Sequence, residues 1–226
     1  PQIYQQYDPE GMLIHLHKMS RLCQQAWQMA INFDLSQDYS KVNKVVILGM
    51  GSSAIGGDLV SNLVALEAKL PIIIHRDYNL PAFIDSKTLV ITSSYSGMTE
   101  ETLSSFEQAL ETDSKKLVIT TGGKLKIIAE ERKVPVFSFD YKAQPRTVLA
   151  FSFLPILGFL QRLGFIKDES ADVTETVEAL GRLSQRINEG MPLSQNPAKQ
   201  LAHRFYGHLP IIYGAGVLLD FSHLLV

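Results

Sequence analysis

The sequence lacks the features that would tie the protein to a membrane, a nucleic acid or an oxidising compartment. Its 226 residues include one cysteine, Cys23, so no disulfide can form within the chain. There are 21 Lys and Arg residues against 23 Asp and Glu residues, without a long run of one charge, which argues against non-specific nucleic-acid binding. No apolar segment is long enough to span a membrane, and no basic and then apolar segment opens the chain. These absences favour a soluble, cytoplasmic protein with neither a membrane nor a nucleic acid as partner.

No metal site is predicted either. His15 and His17 lie in a segment of helical spacing, and residues two apart on a helix face different directions. Cys23 lies in the same segment and is interpreted as a packing residue rather than a nucleophile.

Short apolar runs alternate with segments of helical spacing through the middle of the chain. The predicted strands are 44–48, 71–74, 88–92, 117–120 and 134–137. Continuous apolar strands separated by helices are typical of a parallel sheet that is covered on both faces. We therefore predict an α/β fold, a three-layer α/β/α sandwich with a parallel five-stranded sheet in flavodoxin-like order. The fifth strand is expected at the periphery, because Pro135 removes a hydrogen-bond donor.

Helical segments flank the predicted sheet on both sides. Asp8 and Pro9 are expected to begin a long helix, with Asp8 as its N-cap. The segment 148–163 is apolar nearly all round, which indicates burial from several sides and favours a homodimer.

The end of the chain repeats a pattern from its beginning. Residues 210–216 and 45–51 both run from an apolar strand pattern into Gly-x-Gly. We predict an N-terminal helical segment at 1–40, a first α/β domain at 41–195 with its following helices, and the incomplete start of a second, related domain at 196–226. Either the chain is a fragment or its last residues pack elsewhere.

Two loops rich in serine and glycine follow the first and third predicted strands. One contains Gly51-Ser52-Ser53, and the other runs from Ser94 to Thr102. In a flavodoxin-like sheet strands 1 and 3 are neighbours, so both loops would lie at the switch point where such sheets bind ligands. Hydroxyls and free N–H groups at a helix N-terminus favour an anion. The alternative is plain helix capping, by Thr99 with Thr102 or by Ser96 with Glu100.

An arginine follows the predicted sheet at the start of the apolar helix. Pro145 should hold Gln144 extended, and Arg146 comes next. Arg146 is interpreted either as a surface charge that pairs with Asp140 or as a cation that faces the anion site.

These loops resemble those of sugar isomerase (SIS) domains, and more narrowly those of the bifunctional phosphoglucose/phosphomannose isomerase family. The resemblance rests on 49–54, 94–102, Gln144-Pro145-Arg146 and the opening Tyr7-Asp8-Pro9 with Met12, and it covers nearly the whole chain. The chain departs from the family at Gly51-Ser52-Ser53-Ala54, where the family commonly has Gly-Gly-Ser-Gly. Ser52 adds bulk at a place where the backbone is expected to approach the substrate.

The resemblance implies a function and a set of site residues. The function is aldose–ketose isomerisation of glucose 6-phosphate and mannose 6-phosphate to fructose 6-phosphate, with no cofactor. Arg146 would stabilise the enediolate, whereas the general base is unknown in this chain and expected beyond Val226, so that this chain alone would bind weakly and turn over poorly. The implied substrate-binding residues are Gly51, Ser52, Ser53, Ser94, Ser96, Thr99 and Arg146.

Two other functions fit parts of the sequence. One is a non-catalytic SIS module that binds sugar phosphates. The other is a nicotinamide-dependent oxidoreductase, because Gly49-x-Gly51-x-x-Ala54 fits a relaxed dinucleotide fingerprint and Arg76 and Asp77 follow the second strand.

Overall fold

A parallel five-stranded sheet forms the centre of the computed structural model, which describes residues 2–216. The strand order is β2-β1-β3-β4-β5, so the predicted flavodoxin-like sheet, with its first and third strands as neighbours, is confirmed. β5 lies at one edge, as Pro135 predicted. The strands are β1 Lys44–Leu48, β2 Ile72–His75, β3 Thr88–Ser93, β4 Lys115–Thr120 and β5 Val136–Ser138.

Helices cover both faces of the sheet. They are α1 Gln2–Tyr7, α2 Met12–Asn32, α3 Gly51–Leu63, α4 Glu100–Leu110, α5 Gly123–Glu131, α6 Leu149–Arg162, α7 Ser170–Arg186 and α8 Pro197–Phe205. Short 3-10 segments lie at Gln37–Lys41, Pro145–Val148 and Leu193–Gln195.

Alternate strand residues belong to different layers. Val45 and Ile47 pack in a core with α2, α3 and α6. Val46 packs towards α4 on the opposite face, and Val118 packs between α4 and α5. Because successive side chains point to opposite faces of a strand, burial on both faces requires the continuous apolar runs that the sequence shows. This confirms the three-layer sandwich.

The long N-terminal helix begins three residues later than predicted. α2 starts at Met12, and Gly11, not Asp8, holds the N-cap position. The Asp8 carboxylate still caps the helix, since it accepts hydrogen bonds from the N–H groups of Met12 at 2.7 Å and Leu13 at 2.8 Å.

The strand expected near the end of the chain is not formed in the part that the structure describes. Residues 209–215 have no regular secondary structure, and Leu209 and Tyr213 are exposed. A strand requires a neighbour for its backbone hydrogen bonds, and the five-stranded sheet does not extend to this segment. The rest of the predicted second domain, 217–226, lies outside the described residues.

Candidate functional site

The two serine-rich loops meet at the carboxyl ends of β1 and β3. The backbone N–H of Tyr95 donates a hydrogen bond to Ser53 Oγ, at 3.1 Å. Gly49 lies so close to β3 that a Cβ at this position would be 2.9 Å from the Ser93 carbonyl oxygen. The expectation that these loops are adjacent is therefore confirmed.

The first loop forms the beginning of α3. The helix starts at Gly51, whose φ of +49° is a left-handed conformation that favours glycine. Gly51 is exposed and Ser52 half-buried, whereas Ser53 is buried and its hydroxyl is used in the contact with Tyr95. The free N–H groups of this first turn lie at the edge where the loops meet.

The second loop is organised around a buried serine. Ser94 is only 2% exposed. Its Oγ accepts a hydrogen bond from Gly97 N–H at 3.1 Å and lies 3.2 Å from Thr99 Oγ1. The Ser94 hydroxyl thus shapes the loop from beneath, while Ser96 is exposed and Thr99 half-buried.

The hydroxyls near the start of α4 do not cap this helix. Thr99 occupies the N-cap position, yet its side chain makes no capping hydrogen bond. Ser96 Oγ accepts from Met98 N–H at 3.2 Å, in a turn that precedes the helix. The first helical bond runs from Leu103 N–H to the Thr99 carbonyl, so the preceding N–H groups have no partner within the helix. This geometry favours the anion site over plain capping.

A third loop, after β4, supports the second, and sequence reasoning did not assign it to the site. The Tyr95 carbonyl accepts from Thr121 Oγ1 at 2.7 Å, and the Gly97 carbonyl accepts from Leu125 N–H at 3.0 Å. A Cβ on Gly97 would lie 1.9 Å from the Gly122 carbonyl oxygen. The consecutive glycines Gly122 and Gly123 were the available signal of this close approach.

The turn that carries Arg146 lies beside the first loop. Arg146 is exposed on this 3-10 turn, Pro145–Val148. Pro145 from this turn, Ser52 and Ser53 from α3, and Tyr95 line one small cavity of about 10 Å³. A cavity of this size holds at most one water molecule, so a sugar phosphate would have to bind on the outer side of the loops.

Other candidate groups have structural partners. Arg76, which could have met a 2′-phosphate, pairs with Asp58 of α3. Asp77 accepts a hydrogen bond from Asn79 N–H at 3.2 Å. Between residues 2 and 216, no three His, Cys, Asp or Glu side chains are grouped as metal ligands. Over the same range, no helix combines the length and apolar character needed to cross a membrane.

Comparisons with curated proteins return relatives that share most of the chain. The chain is 42% identical over 203 residues to the bifunctional phosphoglucose/phosphomannose isomerase of Caldicellulosiruptor bescii, which covers 90% of the chain and 60% of the relative. It is 34% identical over 181 residues to the Aquifex aeolicus protein of the same name, covering 80% of the chain and 52% of the relative. A D-glucosamine-6-phosphate 4-epimerase from Sulfolobus acidocaldarius is 30% identical over 197 residues, covering 85% of the chain and 59% of the relative.

Solved structures share the fold. The C-terminal domain of a glucosamine-fructose-6-phosphate aminotransferase from Francisella tularensis superimposes with a TM-score of 0.65 at 15% identity, over 93% of the chain and 64% of that domain. A hypothetical protein from Thermus thermophilus does so with a TM-score of 0.61 at 18% identity, over 87% of the chain and 48% of that protein.

No family model matches the chain. The chain spans about 60% or less of the length of the curated relatives named above. The identity to the Caldicellulosiruptor bescii protein over nine-tenths of the chain nevertheless decides the family. The chain belongs to the bifunctional phosphoglucose/phosphomannose isomerase family.

Proposed function

We propose that the chain binds the phosphate of a sugar 6-phosphate between the first turns of α3 and α4. We further propose that the whole protein isomerises glucose 6-phosphate and mannose 6-phosphate to fructose 6-phosphate. The observation that carries the proposal is the Ser53–Tyr95 hydrogen bond, because it brings two helix N-termini to one edge of the sheet. Each N-terminus carries free N–H groups and a positive partial charge, which together favour a dianionic ester.

Each predicted residue has a place in this binding mode. Ser96 is exposed and Thr99 half-buried, and their hydroxyls would donate to phosphate oxygens. Gly51 and Ser52 would contribute the N–H groups of the first turn of α3. Ser53 and Ser94 are buried and would act by fixing the loops around the phosphate.

Arg146 would act on the reacting end of the sugar. Isomerisation requires a base that removes the proton next to the carbonyl and a cation that stabilises the resulting enediolate. The exposed Arg146, on a turn beside the first loop, can supply that charge, while the two serine-rich loops hold the substrate by its remote phosphate. We assign the role of this base to none of the described residues.

The name of the Sulfolobus acidocaldarius relative supports the binding of a sugar 6-phosphate more than it supports isomerisation. Its name gives a different reaction, an epimerisation, on a sugar that also carries a 6-phosphate. Recognition of a sugar 6-phosphate is common to both names, whereas the reaction differs. A sugar-phosphate-binding role without turnover by this chain is accordingly included in the proposal.

We also propose a cytoplasmic homodimer. The single cysteine fits a reducing compartment, and the substrates proposed are phosphorylated metabolites. The dimer is supported by an apolar groove among α2, α3, α6 and α7.

Titration calorimetry with fructose 6-phosphate, fructose and inorganic phosphate tests the binding site. We expect fructose 6-phosphate to bind and fructose not to bind. Thr99→Val, which removes the hydroxyl but keeps the shape, should weaken binding about tenfold, the effect of one charge-assisted hydrogen bond. Ser40→Ala, at an exposed serine in the segment Gln37–Lys41, serves as the control. Equal affinities for fructose and its phosphate would contradict the proposal, as would NADPH binding in a fluorescence titration without sugar-phosphate binding.

A further inference from the structure

Arg146 lies on the 3-10 turn Pro145–Val148, directly after a stretch that has little structure of its own. Between the end of β5 and the 3-10 turn Pro145–Val148, residues 139–144 form neither helix nor strand. A cation that must meet one oxygen of a substrate has to be held within a fraction of an ångström. Contacts between the stretch 139–144 and the rest of the fold therefore help to fix the turn that follows it relative to the two serine-rich loops.

The Tyr95 hydroxyl makes that contact. Its oxygen lies 2.9 Å from the Ala143 carbonyl and 3.1 Å from the Tyr141 carbonyl, and it accepts a hydrogen bond from Ala143 N–H at 3.0 Å. A phenol has one proton to donate, which the two carbonyls share, and lone pairs that accept. The hydroxyl thus satisfies backbone groups on both sides of one short stretch, three residues before Arg146.

Tyr95 is itself fixed by the site. Its N–H is bound to Ser53 Oγ, and its carbonyl accepts from both the N–H and the hydroxyl of Thr121. Its ring stacks on Phe139 with centroids 6.5 Å apart. The side chain is therefore a connection between the two serine-rich loops and the stretch that leads into the turn with Arg146.

A second contact holds the same segment from outside. The Tyr141 hydroxyl lies 2.5 Å from His15 Nδ1, and the two rings meet edge to face. Burial raises the pKa of Tyr141, with a smaller contribution from Tyr95. Tyr141 therefore stays a neutral hydroxyl that can hydrogen-bond to the imidazole.

We propose that Tyr95 is a positioning residue whose hydroxyl sets the place of Arg146 relative to the phosphate loops. The inference rests on the proposed function in so far as Arg146 is to meet the sugar. Tyr95 itself touches no reacting atom. Its effect should appear in contacts that depend on Arg146 and leave phosphate binding unchanged.

Hydrogen exchange without any ligand tests the structural half. Tyr95→Phe keeps the ring and removes only the hydroxyl. We expect the Ala143 amide and the peptide around 140–146 to exchange about 3- to 10-fold faster, since one hydrogen bond is lost. Tyr39→Phe is the matched control, because the buried Tyr39 hydroxyl also donates to a carbonyl, that of Lys116 at 2.8 Å, but in another part of the fold. Unchanged exchange in Tyr95→Phe, or the same change in both variants, would overturn the proposal.

Ligand affinities test the functional half. The aldonate 5-phosphoarabinonate carries a carboxylate where the enediolate charge would develop and so imitates the intermediate. Tyr95→Phe should weaken its binding about tenfold and change the affinity for inorganic phosphate less than about twofold. In an Arg146→Gln background the same substitution should have no further effect, because the two residues act as one unit. A full additional loss in that background would refute action through Arg146.

The exchange and affinity measurements distinguish a failure of this proposal from a failure of the proposed function. If the wild-type chain prefers neither sugar phosphate nor aldonate over phosphate, the proposed function fails, and the exchange measurement still decides whether Tyr95 holds the segment. His15→Leu provides a second route should Tyr95→Phe fold poorly. It removes the partner of the Tyr141 hydroxyl and should accelerate exchange in the same peptide, and no acceleration would count against the positioning of this segment by side-chain contacts.

Discussion

At the scale of single residues, glycines determine how closely the loops of the site approach one another. Gly97 has a φ of +65°, and its Cα faces the Gly122 carbonyl across a gap too small for a side chain. Gly164 also has a positive φ, +74°, but a Cβ there would meet nothing within 4 Å. The two positions separate the cost of the backbone conformation from the cost of lost space.

Replacement of these glycines by alanine should therefore have unequal effects. Gly164→Ala should destabilise the protein by roughly 1–2 kcal/mol, the cost of a left-handed alanine. Gly97→Ala should add roughly 1–3 kcal/mol for overpacking and should abolish fructose 6-phosphate binding. Urea unfolding measures the loss of stability in both variants, and calorimetry measures fructose 6-phosphate binding. If the two variants lost the same free energy of unfolding, the loops would be able to move apart at no cost in stability.

The alkylation rate of Cys23 is expected to depend on pH. Burial raises the pKa of its thiol to about 11. Because only the thiolate reacts, alkylation by iodoacetamide at pH 8 should be on the order of 100-fold slower than for a free thiol, and the rate should rise with pH until about 11. Mass spectrometry gives the rate, with the urea-unfolded chain as the control. A rate that levels off near pH 8.5, the ordinary value, would contradict the prediction.

Residues with a local signal were predictable, and residues without one were not. Ser53, Ser96 and Thr99 stand in loops between an apolar strand and a helix, so their position at the sheet edge follows from topology. The contact between the Tyr95 hydroxyl and Ala143 joins residues 48 positions apart and has no periodic pattern. Only the folded chain reveals such a contact.

At the scale of elements, the packing of α3 on α6 orients the first turn of α3 and thus the first loop. The two helices approach so closely that a Cβ on Gly56 would lie 2.3 Å from the Ser152 carbonyl oxygen. The φ of Gly56 is not positive. A glycine is therefore needed here only because there is no room for a side chain. Gly181, in the middle of α7, has only Ser20 Oγ nearby, at 3.6 Å.

The same substitution should have opposite effects at these two positions. Gly181→Ala should stabilise the protein by about 0.5–1 kcal/mol, because alanine favours a helix. Gly56→Ala should destabilise it by roughly 1–3 kcal/mol and weaken sugar-phosphate binding, since α3 must move away from α6. Thermal unfolding with and without fructose 6-phosphate measures both. A Gly56→Ala variant with unchanged affinity would show that the first loop does not depend on this packing.

Element types were more predictable than element positions. Burial on both faces requires apolar strands, and so all five strands were found within about two residues. The start of α2 was misplaced, because Asp8 caps this helix through N–H groups four and five residues ahead rather than from the N-cap position. The apolar pattern at 210–213 resembles that of β1 but has no neighbouring strand in the described sheet.

At the scale of the whole molecule, one face of the described structure has an apolar groove. A cavity of about 550 Å³ lies among α2, α3, α6 and α7. Its lining includes Leu63, which is 52% exposed, together with the half-buried Phe153 and the buried Leu154 and Leu157. Exposed apolar area of this kind marks an interaction surface.

The proposed homodimer would use this groove, and one charged substitution tests it. Leu63→Asp places a carboxylate in the groove, and burying it unpaired in an interface would be costly. Sedimentation velocity should show the wild-type chain as a dimer and the variant as a monomer at the same concentration, with the dissociation constant of the dimer raised at least about tenfold. Ile127→Asp is the control, because Ile127 is 57% exposed on α5, across the sheet from the groove. A monomeric wild-type chain would contradict the dimer, and equal dissociation in both variants would place the interface elsewhere. α3 borders the groove at Leu63, and its first turn forms the first loop of the candidate site. An unchanged phosphate affinity in Leu63→Asp would show that the dimer does not shape this site.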